Sequence, residues 1–337
     1  MKRKTLSKVT GGGSYFAAPK THLEFMSSGC KTLDLALGGG WAEGRIFNIV
    51  GDKSTGKTLL CIEAAANFAL KHPKGVIRYA ECESAFDPQY AEALGMPLNQ
   101  VDFGSPLETV EDVFEELNKI VEKAKTPTLY LLDSLDALSD RAEMGRDLDQ
   151  GSYGANKAKQ MSQMFRRLTG KMSRSRVTLG IVSQVRDKIG ISFGRKTSRS
   201  GGRALDFYAS QVLYLAHLGT EKRAIGGIER PIAIKVRAKV DKNKVGLPFR
   251  EAEFEIGFGY GIDDYKACLS WLASAGALGG TGIAKTDINK AARAMMKAPG
   301  KEFRQQLAKV QSLVEKRWFE IETSFMPTRR KYEKPTT

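Results

Sequence analysis

The sequence predicts an α/β fold with a mainly parallel central sheet. Short, nearly continuous apolar runs recur along the chain, and such runs are typical of strands buried on both faces. The segments between them carry apolar residues at helical spacing, which predicts helices covering the sheet. The runs that predict strands are "GRIFNIVG" (44–51), "GVIRYAEC" (75–82), "TLYLLDSL" (128–135) and "VTLGIVSQ" (177–184).

The predicted helices and the later part of the chain follow from the same patterns. Helices are expected at "TLLCIEAAANFALK" (58–71), "LETVEDVFEELNKIVEKA" (107–124) and "KAKQMSQMFRRLTGKM" (157–172). Past residue 210, the segments "VLYLAHLG", "IAIKVRAKVDKNK" and "FREAEFEIGFGYG" predict strands joined by turns, and a helical tail that includes 301–325 follows. We therefore expect a basic, Gly-rich N-terminal arm (1–28), an α/β core (29–262) and a small α-rich C-terminal domain with a basic tail (263–337).

The charge balance indicates a polyanionic partner. Among 337 residues, 53 Lys and Arg oppose 38 Asp and Glu, which gives a formal net charge of +15. Nucleic acid is the favoured partner, with an anionic membrane surface as the alternative. The apolar runs are shorter than a bilayer requires, so a soluble, cytoplasmic protein is expected. The four cysteines have neither CxxC spacing nor a nearby His and are expected to be core thiols.

The segment "GDKSTGKT" matches the phosphate-loop pattern of Gly, four residues and Gly-Lys-Thr. It lies between a predicted strand and a predicted helix, whereas a chance Gly-rich turn is the alternative. Glycines let successive backbone N–H groups point at phosphate oxygens, and the helix adds its positive N-terminal end. Lys57 then reaches the outer phosphates and Thr58 holds Mg²⁺. The predicted nucleotide-binding residues are Gly51, Asp52, Lys53, Ser54, Thr55, Gly56, Lys57 and Thr58.

Carboxylates follow two of the predicted strands. Asp133 lies at the carboxyl end of "TLYLLD", where open α/β sheets bind ligands, and it predicts a second contact to Mg²⁺; a helix N-cap is the alternative. Glu81 and Glu83 share one face if their strand extends that far. Either residue can orient or deprotonate an attacking water, as phosphoryl transfer requires. The strand period does not choose between them, and a solvated pair of surface acids is the alternative.

Several motifs in order resemble one family. The stretch "SSGCKTLDLALGGGWAEGRI" leads into "GDKSTGKT", and "AECESAFDPQYAEALG", "LLDSLDAL", "QVRDKIGISFG", "GGRALDFYAS" and "VDKNKVGLPFREAEFEI" follow. From about residue 26 to 275, the chain resembles the bacterial RecA recombinases and their phage-encoded relatives. The resemblance implies a RecA-like phosphate-loop NTPase core, an N-terminal arm for subunit assembly, and ATP and Mg²⁺ as cofactors.

The resemblance also implies roles around the nucleotide. Glu83, rather than Glu81, is implied to activate the attacking water. Asp87 and Tyr90 are implied to contact adenine, with Tyr90 able to stack on the base. Phe258 stands where the family places an aromatic side chain near the adenine.

Further roles implied by the resemblance concern signalling and DNA. Gln184 is implied to sense the γ-phosphate, and Lys242 and Lys244 to reach the ATP of a neighbouring subunit in the manner of an arginine finger. The segment 186–203 resembles the family's principal DNA-binding loop and 143–156 its smaller companion. The predicted DNA contacts are Arg186, Lys188, Arg195, Lys196, Arg199 and Arg203, for phosphates, and Ile189, as a wedge between bases.

The implied activity is that of a DNA-dependent ATPase, producing ADP and phosphate, coupled to strand exchange in recombination and repair. The protein would form a helical filament on single-stranded DNA and pair it with homologous double-stranded DNA. Single-strand-binding and loader proteins are candidate partners, a membrane is not, and the expected location is the cytoplasm of a bacterium or of a phage host. Two alternatives stay open: a hexameric helicase or RadA-like repair ATPase, and a non-catalytic DNA-coating mediator.

Overall fold

The computed structural model describes residues 23–84, 86–145, 154–187, 197–199, 202–329 and 331, with only the backbone at 154–156, 186–187, 197–199 and 202–203. Within these ranges it contains one large sheet of ten strands. Six neighbouring strands of this sheet are parallel to one another, and the other strand pairs in it are antiparallel. This architecture confirms the predicted α/β class.

The strands are β1 (Phe25–Met26), β2 (Trp41–Ala42), β3 (Ile46–Gly51), β4 (Val76–Glu81), β5 (Val101–Asp102), β6 (Thr128–Asp133), β7 (Val177–Asp187), β8 (Thr197–Arg199), β9 (Gln211–Ile225), β10 (Ile228–Asn243), β11 (Glu251–Gly257) and β12 (Gly261–Ile262). The helices are α1 (Lys31–Leu37), α2 (Lys57–Lys71), α3 (Pro88–Ala93), α4 (Val110–Lys123), α5 (Arg141–Met144), α6 (Gly154–Ser175), α7 (Gly202–Tyr208), α8 (Asp264–Ser274), α9 (Ile288–Met295) and α10 (Gly300–Ser324). The strand order in the large sheet is β12-β11-β10-β9-β3-β7-β6-β4-β5, and β8 pairs with β7. The strands from β9 to β5 form its parallel part.

The central strands are buried on both faces because each face packs against helices. Along β3, Phe47 and Ile49 join one apolar cluster with α1 and α2, whereas Ile46 and Val50 join a second cluster with α4 and α6. This alternation is the period of two expected for a strand. Every residue of β3 and β6 is buried. The continuous apolar runs seen in the sequence are therefore the signature of a sheet covered on both sides.

Local signals set the ends of the covering helices. Thr109 caps α4 in a capping box with Asp112, so the helix begins at residue 110, inside the predicted 107–124 segment. Helix α6 runs from Gly154 to Ser175 and is longer at both ends than the predicted 157–172. The predicted smaller DNA loop, 143–156, is correspondingly too wide, because residues 143–144 belong to α5 and 154–156 to α6.

The C-terminal helices pack around their own apolar cluster and also contact the sheet. Cys268, Leu272 and Val314 are fully buried in this cluster. Glu322 of α10 receives two hydrogen bonds from the guanidinium of Arg250, at 2.7 and 2.6 Å. The three-part division of the chain at residues 28 and 262 stays a prediction. Within the described part of the chain, no helix combines the length and apolar character needed to cross a membrane.

The topology brings the carboxyl ends of several parallel strands to one edge of the sheet. β3 pairs with both β7 and β9, and β6 pairs with both β4 and β7. Segments that follow β3, β4, β6 and β7 therefore emerge side by side. This is the edge at which open α/β sheets bind their ligands.

Candidate nucleotide site

The phosphate loop connects β3 to α2. Gly51 ends the strand, and Gly56 precedes Lys57 at the helix start without a side-chain cap. The first N–H groups of the helix, which have no intrahelical acceptor, face this loop. Ser54 and Gly56 have φ angles of 57° and 90°, and a Cβ at Gly56 would lie 2.4 Å from Cδ1 of Ile256. The curled backbone forms a concavity suited to phosphate oxygens.

Lys57, Thr58 and Asp133 converge beside this loop. Lys57 is buried, and its Nζ donates to the backbone carbonyl of Asp52 at 2.7 Å. Asp133 is 7% exposed and accepts a hydrogen bond from the hydroxyl of Tyr79 at 2.8 Å, and the nearby hydroxyl of Thr58 favours its ionised form. Burial raises the pKa of Asp133 and lowers the pKa of Lys57, and the attraction between the two groups opposes both shifts.

The oxygen atoms of Thr58 and Asp133 fit a magnesium ion. Mg²⁺ prefers oxygen ligands and in nucleotide sites takes one or two from the protein and others from phosphates. The hydroxyl of Thr58 lies near enough to the carboxylate of Asp133, at the end of β6, to oppose the rise that burial causes in its pKa. A cation there would offset the cost of keeping the buried Asp133 ionised. The two predicted Mg²⁺ residues thus lie together, and their role as ligands stays a prediction.

Glu83, Ser134 and Gln184 form a hydrogen-bonded cluster near the loop. β4 ends at Glu81, so the strand does not extend to Glu83, and Glu81 instead accepts the N–H of Glu83 at 3.0 Å. Oε1 of Glu83 accepts from the hydroxyl of Ser134 and from Nε2 of Gln184, the latter at 2.8 Å. The residue predicted to activate water and the residue predicted to sense the γ-phosphate are therefore in contact, although 101 positions separate them.

Sequence reasoning misses two polar residues of this site, Tyr79 and Ser134, and a third, Asp136, that lies beside the site and contacts the backbone of Gln184. Tyr79 contacts Asp133 and Ser134 contacts Glu83, while Oδ2 of Asp136 accepts the backbone N–H of Gln184 at 2.6 Å. The signal that could have found two of them is position, because Ser134 and Asp136 directly follow the carboxyl end of a central strand.

The residues predicted to contact adenine lie on α3 and on the turn between β11 and β12. Asp87 caps α3 and accepts the N–H of Tyr90 at 3.0 Å. Tyr90 packs against the apolar core, whereas Phe258 is 55% exposed. The end of α3 approaches β12, since a Cβ at Gly261 would lie 3.3 Å from Cδ2 of Leu94. Two aromatic-bearing elements are thus adjacent, and adenine binding between them stays a prediction.

A carboxylate on α2 supports the same region. Oε1 of Glu63 accepts the N–H of Ile262 at 3.2 Å. A Cβ at Gly29 or at Gly261 would lie 2.6 Å from a carboxylate oxygen of Glu63, so the side chain fits closely between two glycines. Burial raises the pKa of Glu63 to about 7, and the charge of Asp264 acts in the same direction.

We expect Glu63→Gln to flatten the pH dependence of stability. Because burial raises the folded-state pKa of Glu63 from its ordinary 4.5 to about 7, the native protein binds an extra proton between these pH values. The stabilisation is present at low pH and is lost as the pH rises toward and through 7. Between pH 5 and pH 8 this amounts to about 2 kcal/mol of unfolding free energy. Denaturant unfolding at both pH values measures it.

The exposed Glu302 provides the control for this measurement. Glu302→Gln makes the same chemical change at a side chain that lies in solvent. In this variant the free energy of unfolding should depend on pH as it does in the wild type. If Glu63→Gln and wild type lose the same free energy of unfolding between the two pH values, the proposed titration of Glu63 is wrong.

Lys242 lies in β10 and Lys244 directly follows that strand. β9 separates them from β3 and the phosphate loop, and both side chains contact α7. The Nζ of Lys242 donates to the carbonyls of Asp206 and Phe207, the latter at 2.9 Å. The Nζ of Lys244 donates to the carbonyl of Phe207 at 3.0 Å and lies 5.6 Å from its ring centroid. The two ammonium groups thus sit at the negative end of α7. Their predicted reach to a neighbouring subunit stays a prediction.

The predicted DNA contacts are mostly beyond what the structure describes. Lys188, Ile189, Arg195 and Lys196 lie outside the described residues. The backbone places Arg186 in β7 opposite Ser198 of β8, places Arg199 in β8 opposite Val185, and places Arg203 in α7. The predicted loop 186–203 is therefore too wide, because its two ends belong to regular elements.

The fold and the site define a phosphate-loop nucleotide-binding protein with a parallel α/β core. Comparison with known families is more specific. The family model of the RecA N-terminal domain matches residues 4–263. The chain belongs to the RecA family.

Individual relatives agree with this assignment. RecA of Prochlorococcus marinus (strain NATL1A) is 40% identical over 256 residues, which are 76% of this chain and 65% of that protein. RecA of Trichodesmium erythraeum is 36% identical over 305 residues, which are 90% of this chain and 79% of that protein. RecA of Nostoc punctiforme is 38% identical over 245 residues, which are 73% of this chain and 66% of that protein.

Proposed function

We propose that this protein is an ATP-dependent recombinase that assembles on single-stranded DNA and exchanges strands with a homologous duplex. Family membership supports the general class, since the family model covers residues 4–263. The observation that carries the proposal is the contact between Glu83 and Gln184, at 2.8 Å. It joins the residue that would activate water to the strand that leads into the candidate DNA loop.

The proposed roles follow the geometry of the site. The phosphate loop and Lys57 would hold the phosphates of ATP, and Thr58 and Asp133 would hold Mg²⁺, which supplies charge neutralisation for the transferred phosphoryl group. Glu83 would accept the proton of the attacking water. Asp87, Tyr90 and Phe258 would hold the adenine.

Gln184 would connect the nucleotide site to the candidate DNA loop. Its side chain contacts Glu83, and β7 continues from Gln184 through Asp187 to the segment that follows. A side chain that hydrogen-bonds differently with and without a γ-phosphate would shift the strand on which it sits. The basic residues Arg186, Lys188, Arg195, Lys196, Arg199 and Arg203 would bind the DNA backbone, which needs charge and no base identity.

Self-association is proposed to complete the nucleotide site. Lys242 and Lys244 would act on the ATP of an adjacent subunit, which requires a head-to-tail interface of the kind that generates open helical filaments. Their anchoring to α7, the helix that follows the candidate DNA loop, supports a link between this interface and DNA.

Electron microscopy with single-stranded DNA and a non-hydrolysable ATP analogue tests the proposed assembly. Helical filaments are expected, together with ATP hydrolysis that single-stranded DNA stimulates and with strand exchange between homologous molecules. Closed rings that translocate and unwind DNA would instead indicate a motor protein. Filaments without DNA-stimulated hydrolysis would indicate a DNA-coating protein.

A further inference from the structure

The turn formed by residues Leu135–Ala137 connects the nucleotide site to two other elements through side chains. The turn follows directly after Asp133 and Ser134, which belong to the site described above. The carboxylate of Asp136 reaches β7, and Lys157 of α6 reaches the turn. Both connected elements border a candidate DNA loop: β7 precedes the loop at 186–203, and α6 follows the loop at 143–156.

The contact of Asp136 replaces a missing sheet hydrogen bond. β6 ends at Asp133, and its register with β7 last pairs Leu132 with Ile181. The backbone N–H of Gln184 therefore lies beyond the ladder on the β6 side. Oδ2 of Asp136 accepts this N–H at 2.6 Å. A short bond to an ionised acceptor is stronger than a neutral one and fixes the backbone of Gln184 relative to the turn.

Lys157 ties the same turn to α6. Its Nζ donates to the backbone carbonyl of Leu135, at 3.1 Å, and to that of Leu138. The two carbonyls bracket the turn, so one ammonium group ties both of its ends to α6. These bonds to a charged donor are partly buried and are stronger than bonds between neutral groups.

We propose that Asp136 and Lys157 are positioning residues that transmit the state of the nucleotide site to the two candidate DNA loops. This inference rests on the proposed function. A change at Ser134 or Glu83 on nucleotide binding moves the turn. The turn moves β7 through Asp136 and α6 through Lys157. The coupling free energy between ATP and DNA then depends on these two side chains.

The experiment measures the affinity for a labelled single-stranded oligonucleotide by fluorescence anisotropy, with and without a non-hydrolysable ATP analogue. The readout is the ratio of the two affinities, together with nucleotide affinity in the absence of DNA as a check of folding. Asp136→Ala and Lys157→Met are each expected to lower the ratio about tenfold, the effect of one lost bond to a charged group. Nucleotide affinity without DNA should stay within about threefold of wild type.

Conservative variants separate positioning from general damage. Asp136→Asn keeps an acceptor oxygen and Lys157→Arg keeps the donors, so both should retain most of the wild-type ratio. Lys171→Met, on the same helix with an exposed partner Glu122, should retain it fully. A wild-type ratio in Lys157→Met, or an equal loss in Asp136→Asn and Asp136→Ala, would overturn the proposal. If the wild-type protein binds DNA with the same affinity with and without the ATP analogue, the proposed function is contradicted instead.

Discussion

Replacing Glu83 with Gln is expected to lower DNA-stimulated ATP hydrolysis by about 10²- to 10⁴-fold, the usual contribution of a general base. Gln keeps the size of the side chain and an oxygen that can accept from Ser134 and Gln184, which bind Oε1 of Glu83. It cannot accept a proton from water. ATP affinity should therefore change little, and steady-state hydrolysis with equilibrium binding of a fluorescent ATP analogue measures the two effects separately.

Glu81→Gln is the matched control for this variant. Glu81 lies two residues away at the end of β4 and accepts the N–H of Glu83, so its replacement tests the local turn without removing the proposed base. Its effect on the hydrolysis rate should be less than about tenfold. If Glu81→Gln loses as much activity as Glu83→Gln, the assignment of the base to Glu83 is wrong.

The double variant Lys242→Ala and Lys244→Ala is expected to lower DNA-stimulated hydrolysis by about 10³-fold, as removal of an arginine finger does. ATP affinity of the isolated chain should be retained, because Lys57 and the phosphate loop are on another part of the sheet. Lys239→Ala is the control. Lys239 lies on β10 with Lys242, is ion-paired with Glu251 at 3.7 Å, and should tolerate the change.

Mixing subunits tests whether the two lysines act on a neighbour. Lys57→Ala and the double variant should each be inactive alone. In a mixed filament, roughly a quarter of head-to-tail interfaces would join an intact phosphate loop to an intact lysine pair, so activity should reappear. Mixtures that stay as inactive as their components would contradict action across the interface.

The phosphate loop and the strands around it could be predicted because their signals are local. Gly51 to Thr58 contain the pattern, and the apolar runs before and after them match β3 and α2. The C-terminal helices follow from the same kind of local periodicity, and "KEFRQQLAKVQSLVEKRWFEIETSF" differs from α10 by one residue at each end. Family resemblance supplied the choice of Glu83 over Glu81, which the strand period did not make.

Element ends were harder to predict where the tertiary structure extends them. β7 continues to Asp187, and its last residues pair with β8. The sequence of β8, Thr-Ser-Arg, is polar and does not indicate a strand. Helix α6 likewise extends beyond its apolar pattern at both ends. Packing partners that are distant in sequence override local propensity at such places.

The residues alone therefore determine the fold class, the phosphate loop and the basic character of the chain, because each depends on local spacing or on composition. The contacts of Glu83 with Ser134 and Gln184, and of Asp136 with the backbone of Gln184, depend on which strands become neighbours. Parallel pairing of β6 with β4 and β7 brings segments about 50 to 100 positions apart to one edge of the sheet. Only that pairing decides which side chains meet, because no local pattern encodes a contact between distant strands.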